Sequence, residues 1–524
     1  MNSLNDLDRT DPRIPPHFLV IVPGMMGSKL RDRRTGKLVW LDFDDFPLNP
    51  FEWDDWVENL LGQVAYPNED LEPAGIMDRV MFMSPWARQE QYSRLLEALE
   101  GMGYRFDPAL PEAERNAYTF AYDWRQDIRI SGRLLGEAIE RWHVLHDGAP
   151  AWVMGHSMGG IAARWYIEKE GGRDFVSRLF LMASPWNGAP KAMHSIFRGL
   201  DMFARTRFNP LQIRELTRRT IRSFPSAYQI LPHQDFYLRD DQGRQFDPHT
   251  KTDWLENDTQ RALLADAQRF NEELGNSLSV ETLCFFGRKL PTVSHGVALV
   301  DPTGLWDDIT WESAPLGDGT VPETSAVHEG AQQKLPFVAT HGNIYVHPEV
   351  LEVLQWELRD RFLARAGAER PIPRNTLSVT TEHEQVLPGA PIRLTASLEG
   401  EVSAAAQALL DAAPGPESLA PQALEAVRDG RIHIQLAWQS GLPGNPPLLA
   451  VPDVVNGVLT RGPAAGAYAG ELQAPYAEGY YRLLSEAWLD GVRVTDTDLL
   501  IVDDGHPGWS IDPVTGKVVA RVLE

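Results

Sequence analysis

Up to about residue 365, short apolar runs alternate with segments of helical spacing, which predicts a mainly parallel sheet with helices on both faces. HFLVIV (His17–Val22), YTFAY (Tyr118–Tyr122), AWVM (Ala151–Met154), RLFLMA (Arg178–Ala183) and TLCFFG (Thr282–Gly287) read as strands. Between them, Arg133–Leu145 places Leu134, Leu135, Ala138, Ile139, Trp142 and Leu145 at helical intervals, and Ile161–Glu170 continues as a helix closed by Gly171-Gly172. Pro348–Arg365 predicts a last helix, with proline in its first turn and a stripe through Val350, Leu351, Leu354 and Leu358.

Two long segments break this rhythm. Arg31–Trp86 is dense in Trp, Asp and Pro, and Lys191–Leu274 carries several arginine-rich helical patterns. Insertions of this size between sheet elements predict a lid (residues 31–86) and a cap (residues 190–275). After residue 368 the pattern changes to period-two alternation. TLSVTTEHEQVLPGAPIRLTASLEG, RIHIQLAW, YYRLLSEAWL and VRVTDTDLLIV predict a small antiparallel β-sandwich over residues 372–524, immunoglobulin-like in its late strands. A helical insertion is expected around Ala404–Val427.

Composition adds limits. The chain has 524 residues and a formal net charge of −24, which opposes nucleic acid and anionic membrane surfaces as partners. With one cysteine, Cys284, no disulfide can close within the chain. No basic leader or bilayer-length apolar run is present, so the expectation is a cytoplasmic protein. No group of histidines and carboxylates has metal-ligand spacing, so neither a metal nor another cofactor is expected. Oligomeric state is not legible here.

The chemistry centres on Gly155-His156-Ser157-Met158-Gly159. A G-x-S-x-G run between a strand and a helix makes a sharp turn that exposes the serine and aims it at a helix N-terminus. His156 is adjacent to Ser157 and cannot reach round to act as its base. The acid and the histidine should follow in that order along the chain. Asp318, bracketed by Gly317 and Gly319, suits the acid; Asp301, Asp307 and Asp308 are rivals without that bracketing. His341, in a loop after the apolar run Pro336–Ala339, suits the base; His328 and His347 are the alternatives. The oxyanion donors expected are the N–H groups of Met158 and of Met25, the latter in the glycine-bearing loop Val22–Ser28.

VPGMMGSKL, AYDWR, GHSMGG, ASPWNGAP, SFPSAYQILP, GDGTVP and HGNIYVHPEVLEVL occur in order over residues 16–360. Together they resemble the lecithin:cholesterol acyltransferase family, which moves acyl chains from lipid esters to an alcohol or to water. The resemblance implies an α/β-hydrolase fold over residues 1–368, with Ser157, Asp318 and His341 as triad and Met25 and Met158 as oxyanion donors. It also implies a cap after Pro190, with Trp186 in the substrate wall. The substrate class implied is a lipid ester, with water or an alcohol as acceptor. Non-lipid esters, thioesters or amides would use the same triad, and a non-catalytic binding protein on a hydrolase scaffold is the reading from another class.

Overall fold

The computed structural model describes residues 11–40, 53–77, 92–199, 210–233, 238–239, 244–288, 290–300, 306–364, 376–381, 385–399, 432–440, 454–461, 467–477, 479–489, 492–502, 509–511 and 518–520. The expected helix around Ala404–Val427 and the rival Asp301 lie outside them.

The chain opens on β1 (Phe18–Val22), every residue of which is buried, as a strand covered on both faces requires. Next come a three-stranded antiparallel sheet, β2 (Ser28–Asp32), β3 (Leu38–Trp40) and β4 (Leu71–Ile76), and α1 (Trp53–Val64) between β3 and β4. Val57, Leu60, Leu61 and Val64 of α1 join Trp40 in the main hydrophobic core. The described part of the segment read as a lid is thus anchored at its base. After α2 (Tyr92–Gly101) the chain forms β5 (Ala117–Thr119), α3 (Ile128–Leu145), β6 (Ala151–His156), α4 (Met158–Lys169) and β7 (Val176–Met182).

β5 is shorter than the run Tyr118–Tyr122 predicts. Tyr122 leaves the ladder because its N–H donates to Ser28 Oγ (3.1 Å) and its hydroxyl to the Pro23 carbonyl (2.9 Å).

The segment read as a cap contains α5 (Pro190–Arg198), α6 (Pro210–Ile221), α7 (Pro225–Gln229), the two-residue strands β8 (Leu238–Arg239) and β9 (Gln245–Phe246), and α8 (Asp258–Leu274). The chain then enters β10 (Glu281–Gly287), a long hairpin of β11 (Leu290–Val300) and β12 (Trp306–Gly317), α9 (Glu323–Ala326) and β13 (Gln333–Phe337). The final helix begins as α10 (Pro348–Gln355), opens into a π-turn over Trp356–Asp360 and ends as α11 (Arg361–Leu363). It is fixed to β7 by Arg178, which donates to the Glu357 carbonyl (2.8 Å) and pairs with the Glu357 carboxylate, both side chains buried.

The central sheet has the order β13-β10-β7-β6-β1-β5, and all neighbours run parallel. Successive strands depart in opposite directions from the β1/β6 pair. In doubly wound sheets the crevice outside the carboxyl ends at such a reversal is where ligands bind. With helices on both faces this is the α/β-hydrolase architecture.

A separate antiparallel unit follows: β14 (Thr376–Thr381), β15 (Gln385–Val386), β16 (Pro391–Glu399), β17 (Ile432–Ser440), β18 (Val455–Arg461), β19 (Ala467–Gln473), β20 (Gly479–Leu489) and β21 (Val492–Val502). Its own hydrophobic cluster includes Ile392, Leu394, Ile434, Leu436, Leu483 and Leu500. Rather than two unconnected sheets, the strands form one eight-stranded sheet, β14-β16-β19-β18-β17-β20-β21-β15. The link is β18, which pairs with β17 through Val455–Leu459 and with β19 through Thr460–Arg461. At the start of β20 the buried Tyr481 hydroxyl donates to the Ala477 carbonyl (2.7 Å).

Candidate active site

Met25, Ser157, Asp318 and His341 each lie just beyond the carboxyl end of a strand. Ser157 follows β6 directly and caps α4, with φ 52° and ψ −127°. A non-glycine residue in that region is strained, and the surroundings must hold it there. Its N–H donates to the Met182 carbonyl (2.9 Å) at the end of β7. The tight turn explains the glycines. A Cβ on Gly155 would stand 2.4 Å from the Gly160 Cα, and one on Gly159 would stand 2.4 Å from the Pro23 oxygen. Ser157 is partly exposed, at the N-terminal end of a twelve-residue helix whose dipole favours negative charge.

The loop after β1 is held by its carbonyls. Pro23, Met26 and Ser28 accept from the Tyr122 hydroxyl (2.9 Å), Trp40 Nε1 (3.2 Å) and Trp124 Nε1 (3.0 Å). Met26 adopts φ 63°, a turn that lets the loop pass close over the elbow. Gly24 makes this possible, since a Cβ there would stand 3.0 Å from Ser157 Cβ. Met25 follows Gly24 on this loop, and Met158 is the first residue of α4.

The acid loop begins where the β11–β12 hairpin returns to the end of β10. The Cβ that Gly287 lacks would sit 2.5 Å from Asp318 Cβ. Asp318 is 1% exposed. One carboxylate oxygen accepts from the N–H groups of Thr320 (2.8 Å) and Val321 (2.6 Å). The other lies 2.8 Å from His341 Nδ1. The His341 N–H also donates to the Asp318 carbonyl (2.9 Å), so backbone and ring are both registered against the acid. The His341 ring centre is 5.0 Å from that of His156, the residue preceding Ser157. The structure therefore gathers Asp318, His341 and the Ser157 turn.

The rivals fall elsewhere. Asp307 and Asp308 belong to β12. His347 caps α10, as a residue before Pro348 should. His328 takes the Gly330 N–H on Nδ1 (3.0 Å) and packs on the Trp186 indole, ring centres 4.0 Å apart. Burial, with the Arg164 cation nearby, pushes its pKa down to about 4. Trp186 is half-buried, and its indole also meets the Arg164 guanidinium. The Trp186 backbone N–H donates to the Ser325 carbonyl (2.7 Å), and Ser325 Oγ accepts from the Asn187 backbone N–H and donates to the Gly188 carbonyl, so α9 clasps the segment leading into α5.

Sequence reasoning missed Tyr92, Arg164 and the Asp123–Arg125 pair. Arg125 and Asp123 form a buried ion pair (2.7 Å), and Arg125 also donates to the carbonyls of Val64, the last residue of α1, and of Asn68. The AYDWR run carried that signal, since acid and arginine two apart in a loop can close on each other. Among the described residues no group of histidine, cysteine and carboxylate side chains could hold a metal. No described helix is long and apolar enough to cross a membrane.

Comparison with known proteins adds a family. The model for lecithin:cholesterol acyltransferase matches residues 36–285. No curated protein matches the chain. Among solved structures, the chain is similar to one described as the Tle4–Tli4 complex, at 14% identity and TM-score 0.45, covering 66% of this chain and 98% of that one. It is also similar to the mature lipase BlEst2 of Bacillus licheniformis, at 13% identity and TM-score 0.29, covering 65% and 89%. A third likeness is to phospholipase PlaB of Legionella pneumophila, at 12% identity and TM-score 0.28, covering 93% and 92%.

Proposed function

We propose that the chain, whose residues 36–285 match the lecithin:cholesterol acyltransferase family, is a member of it and works by an acyl-enzyme on Ser157. As a member it is a carboxylic-ester hydrolase or acyltransferase acting on lipid esters. The single observation that supports this mechanism best is the buried 2.8 Å contact between Asp318 and His341 Nδ1 beside the strained Ser157 turn.

In this reading Asp318 accepts a hydrogen bond from His341 Nδ1–H, which leaves Nε2 as the basic nitrogen. His341 takes the Ser157 proton as Oγ attacks the ester carbonyl, and the resulting imidazolium is stabilised by the Asp318 charge. The N–H groups of Met25 and Met158 receive the oxyanion; each such donor is worth about 3–4 kcal/mol in the transition state. His341 then protonates the leaving alkoxide. Water or an alcohol, deprotonated by the same imidazole, releases the acyl group and restores Ser157. Trp186 forms part of the acyl wall, a role supported by its partial exposure beside the loop that enters the cap.

The test is covalent labelling. A fluorophosphonate is expected to modify Ser157 stoichiometrically, and Ser157→Ala to lose both labelling and ester turnover. Full turnover by a folded Ser157→Ala enzyme would refute the assignment. Product analysis with and without added long-chain alcohol separates transfer from hydrolysis.

For the C-terminal strands we propose an immunoglobulin-type module. Support comes from the order β14-β16-β19-β18 beside β17-β20-β21, the parallel pairing of β15 with β21, and the Tyr481 contact at the start of β20.

A further inference from the structure

His156 stands inside the nucleophile turn, and the catalytic scheme above gives it no task. It is buried, and both ring nitrogens are engaged: Nε2 lies 3.1 Å from the His341 carbonyl and Nδ1 lies 2.7 Å from the Tyr92 hydroxyl. The directions of these bonds follow from chemistry. A carbonyl oxygen only accepts, so Nε2 carries the proton and donates to His341. In the neutral ring Nδ1 is then an acceptor and accepts a hydrogen bond from the Tyr92 hydroxyl. The tyrosine oxygen in turn accepts the Gly24 N–H (3.0 Å). Burial, with the His341 ring adjacent, holds the His156 pKa well below the usual histidine range, which keeps the ring neutral.

These bonds form one directed chain: Gly24 N–H to Tyr92, Tyr92 O–H to His156, and His156 Nε2–H to the His341 carbonyl. One end is the residue before Met25, the proposed oxyanion donor. The other is the backbone of the proposed base, whose N–H is already tied to the Asp318 carbonyl. Tyr345 closes the packing, stacked on Tyr92 at 4.9 Å and edge-on to His156 at 4.8 Å.

We propose that Tyr92 and His156 are positioning residues, which set the distance between the oxyanion loop and His341 so that acid, base, nucleophile and oxyanion donor hold one geometry. This rests on the triad reading. Neither side chain touches the reacting atoms. Their effect is on alignment, where an error of about 1 Å costs on the order of a hundredfold in rate.

Tyr92→Phe removes the hydroxyl and keeps the ring. The expected result, on a soluble p-nitrophenyl ester, is a fall in kcat of roughly tenfold to a hundredfold with KM within about twofold. The rate constant for fluorophosphonate labelling of Ser157 should fall equally, while labelling still reaches one equivalent. His156→Gln, whose amide can donate to His341 and accept from Tyr92, should recover most of the wild-type kcat, and His156→Leu should not. Unchanged kcat and labelling rate in folded Tyr92→Phe would overturn the proposal, even if thermal stability falls. Equal kcat in the Gln and Leu variants would overturn it too. If the His156 variants do not fold, imidazole 15N signals of the wild-type enzyme decide. His156 should show the neutral, Nε2-protonated form throughout the folded pH range, and an Nδ1-protonated or charged ring would overturn the chain of bonds. Failure of wild-type protein to label at Ser157 would remove the triad reading while leaving that spectroscopic result standing.

Discussion

The guanidinium carbon of Arg164 lies 3.4 Å from the centre of the Trp186 ring. Arg164 is 1% exposed and forms no ion pair among the described residues. It donates instead to the carbonyls of Gly275 (3.2 Å) and Ser277 (3.1 Å), and burial lowers its pKa to about 9. The indole face thus supplies part of the stabilisation a carboxylate would give, and a desolvated cation–π contact is worth about 2 kcal/mol. Replacing Trp186 by alanine would leave the cation with carbonyls alone. Trp186→Ala is expected to lower unfolding free energy by about 2–4 kcal/mol in urea titration, and Trp186→Phe by less.

Asp318→Asn separates the two functions of that carboxylate. Its oxygen can still accept from Thr320 and Val321, which leaves the amide nitrogen facing His341 Nδ1. A donor in that place forces the imidazole to carry its proton on Nε2, where it cannot accept from Ser157. Turnover should fall about 10⁴-fold with the circular-dichroism spectrum and melting temperature nearly unchanged.

The buried histidines set an acid limit on stability. Burial holds His347 at a pKa of about 4, and burial together with Arg164 holds His328 at about 4. Each binds a proton in the unfolded chain below the usual histidine value, but in the folded protein only near 4. The unfolded state therefore holds more protons across that window, and stability must fall as pH drops from about 6.5 towards 4. His347→Gln should flatten this slope by about one proton, read from urea midpoints at a series of pH values.

Tyr481→Phe tests the C-terminal unit by itself. Losing the hydroxyl leaves the buried Ala477 carbonyl without that donor, at a cost of about 1–3 kcal/mol. A calorimetric transition belonging to this unit should move down, while ester turnover stays at the wild-type level.

The site was legible where local geometry leaves a mark on composition. Gly155 and Gly159 mark the elbow because no Cβ fits there, and Gly317 and Gly319 bracket Asp318 because a Cβ on Gly317 would stand 2.1 Å from the Val321 oxygen and Gly319 takes φ 90°. The core strands were legible because burial on both faces demands unbroken apolar runs, as in Phe18–Val22. Partnerships across sequence distance left no such mark. Tyr92 opens an ordinary amphipathic helix, and nothing near it announces a bond to His156, 64 residues away. Nothing in the sequence marks Arg164 as buried, yet α4 is buried almost all round. β18 and β19 went unread because VNGVLTR and AYAGELQ carry glycine and little alternation. The β11–β12 hairpin was hidden by its Pro, Gly and Asp content.

Trp40 gives its indole proton to the Met26 carbonyl, inside the same turn that carries Met25. The tryptophan belongs to β3, beyond which the chain runs through twelve further residues before α1 begins. A displacement of β3 is therefore transmitted through that bond to the loop that passes over the Ser157 turn. The small antiparallel sheet and the loop beside Ser157 thus share one mechanical link, so strain in the first would be felt at the second.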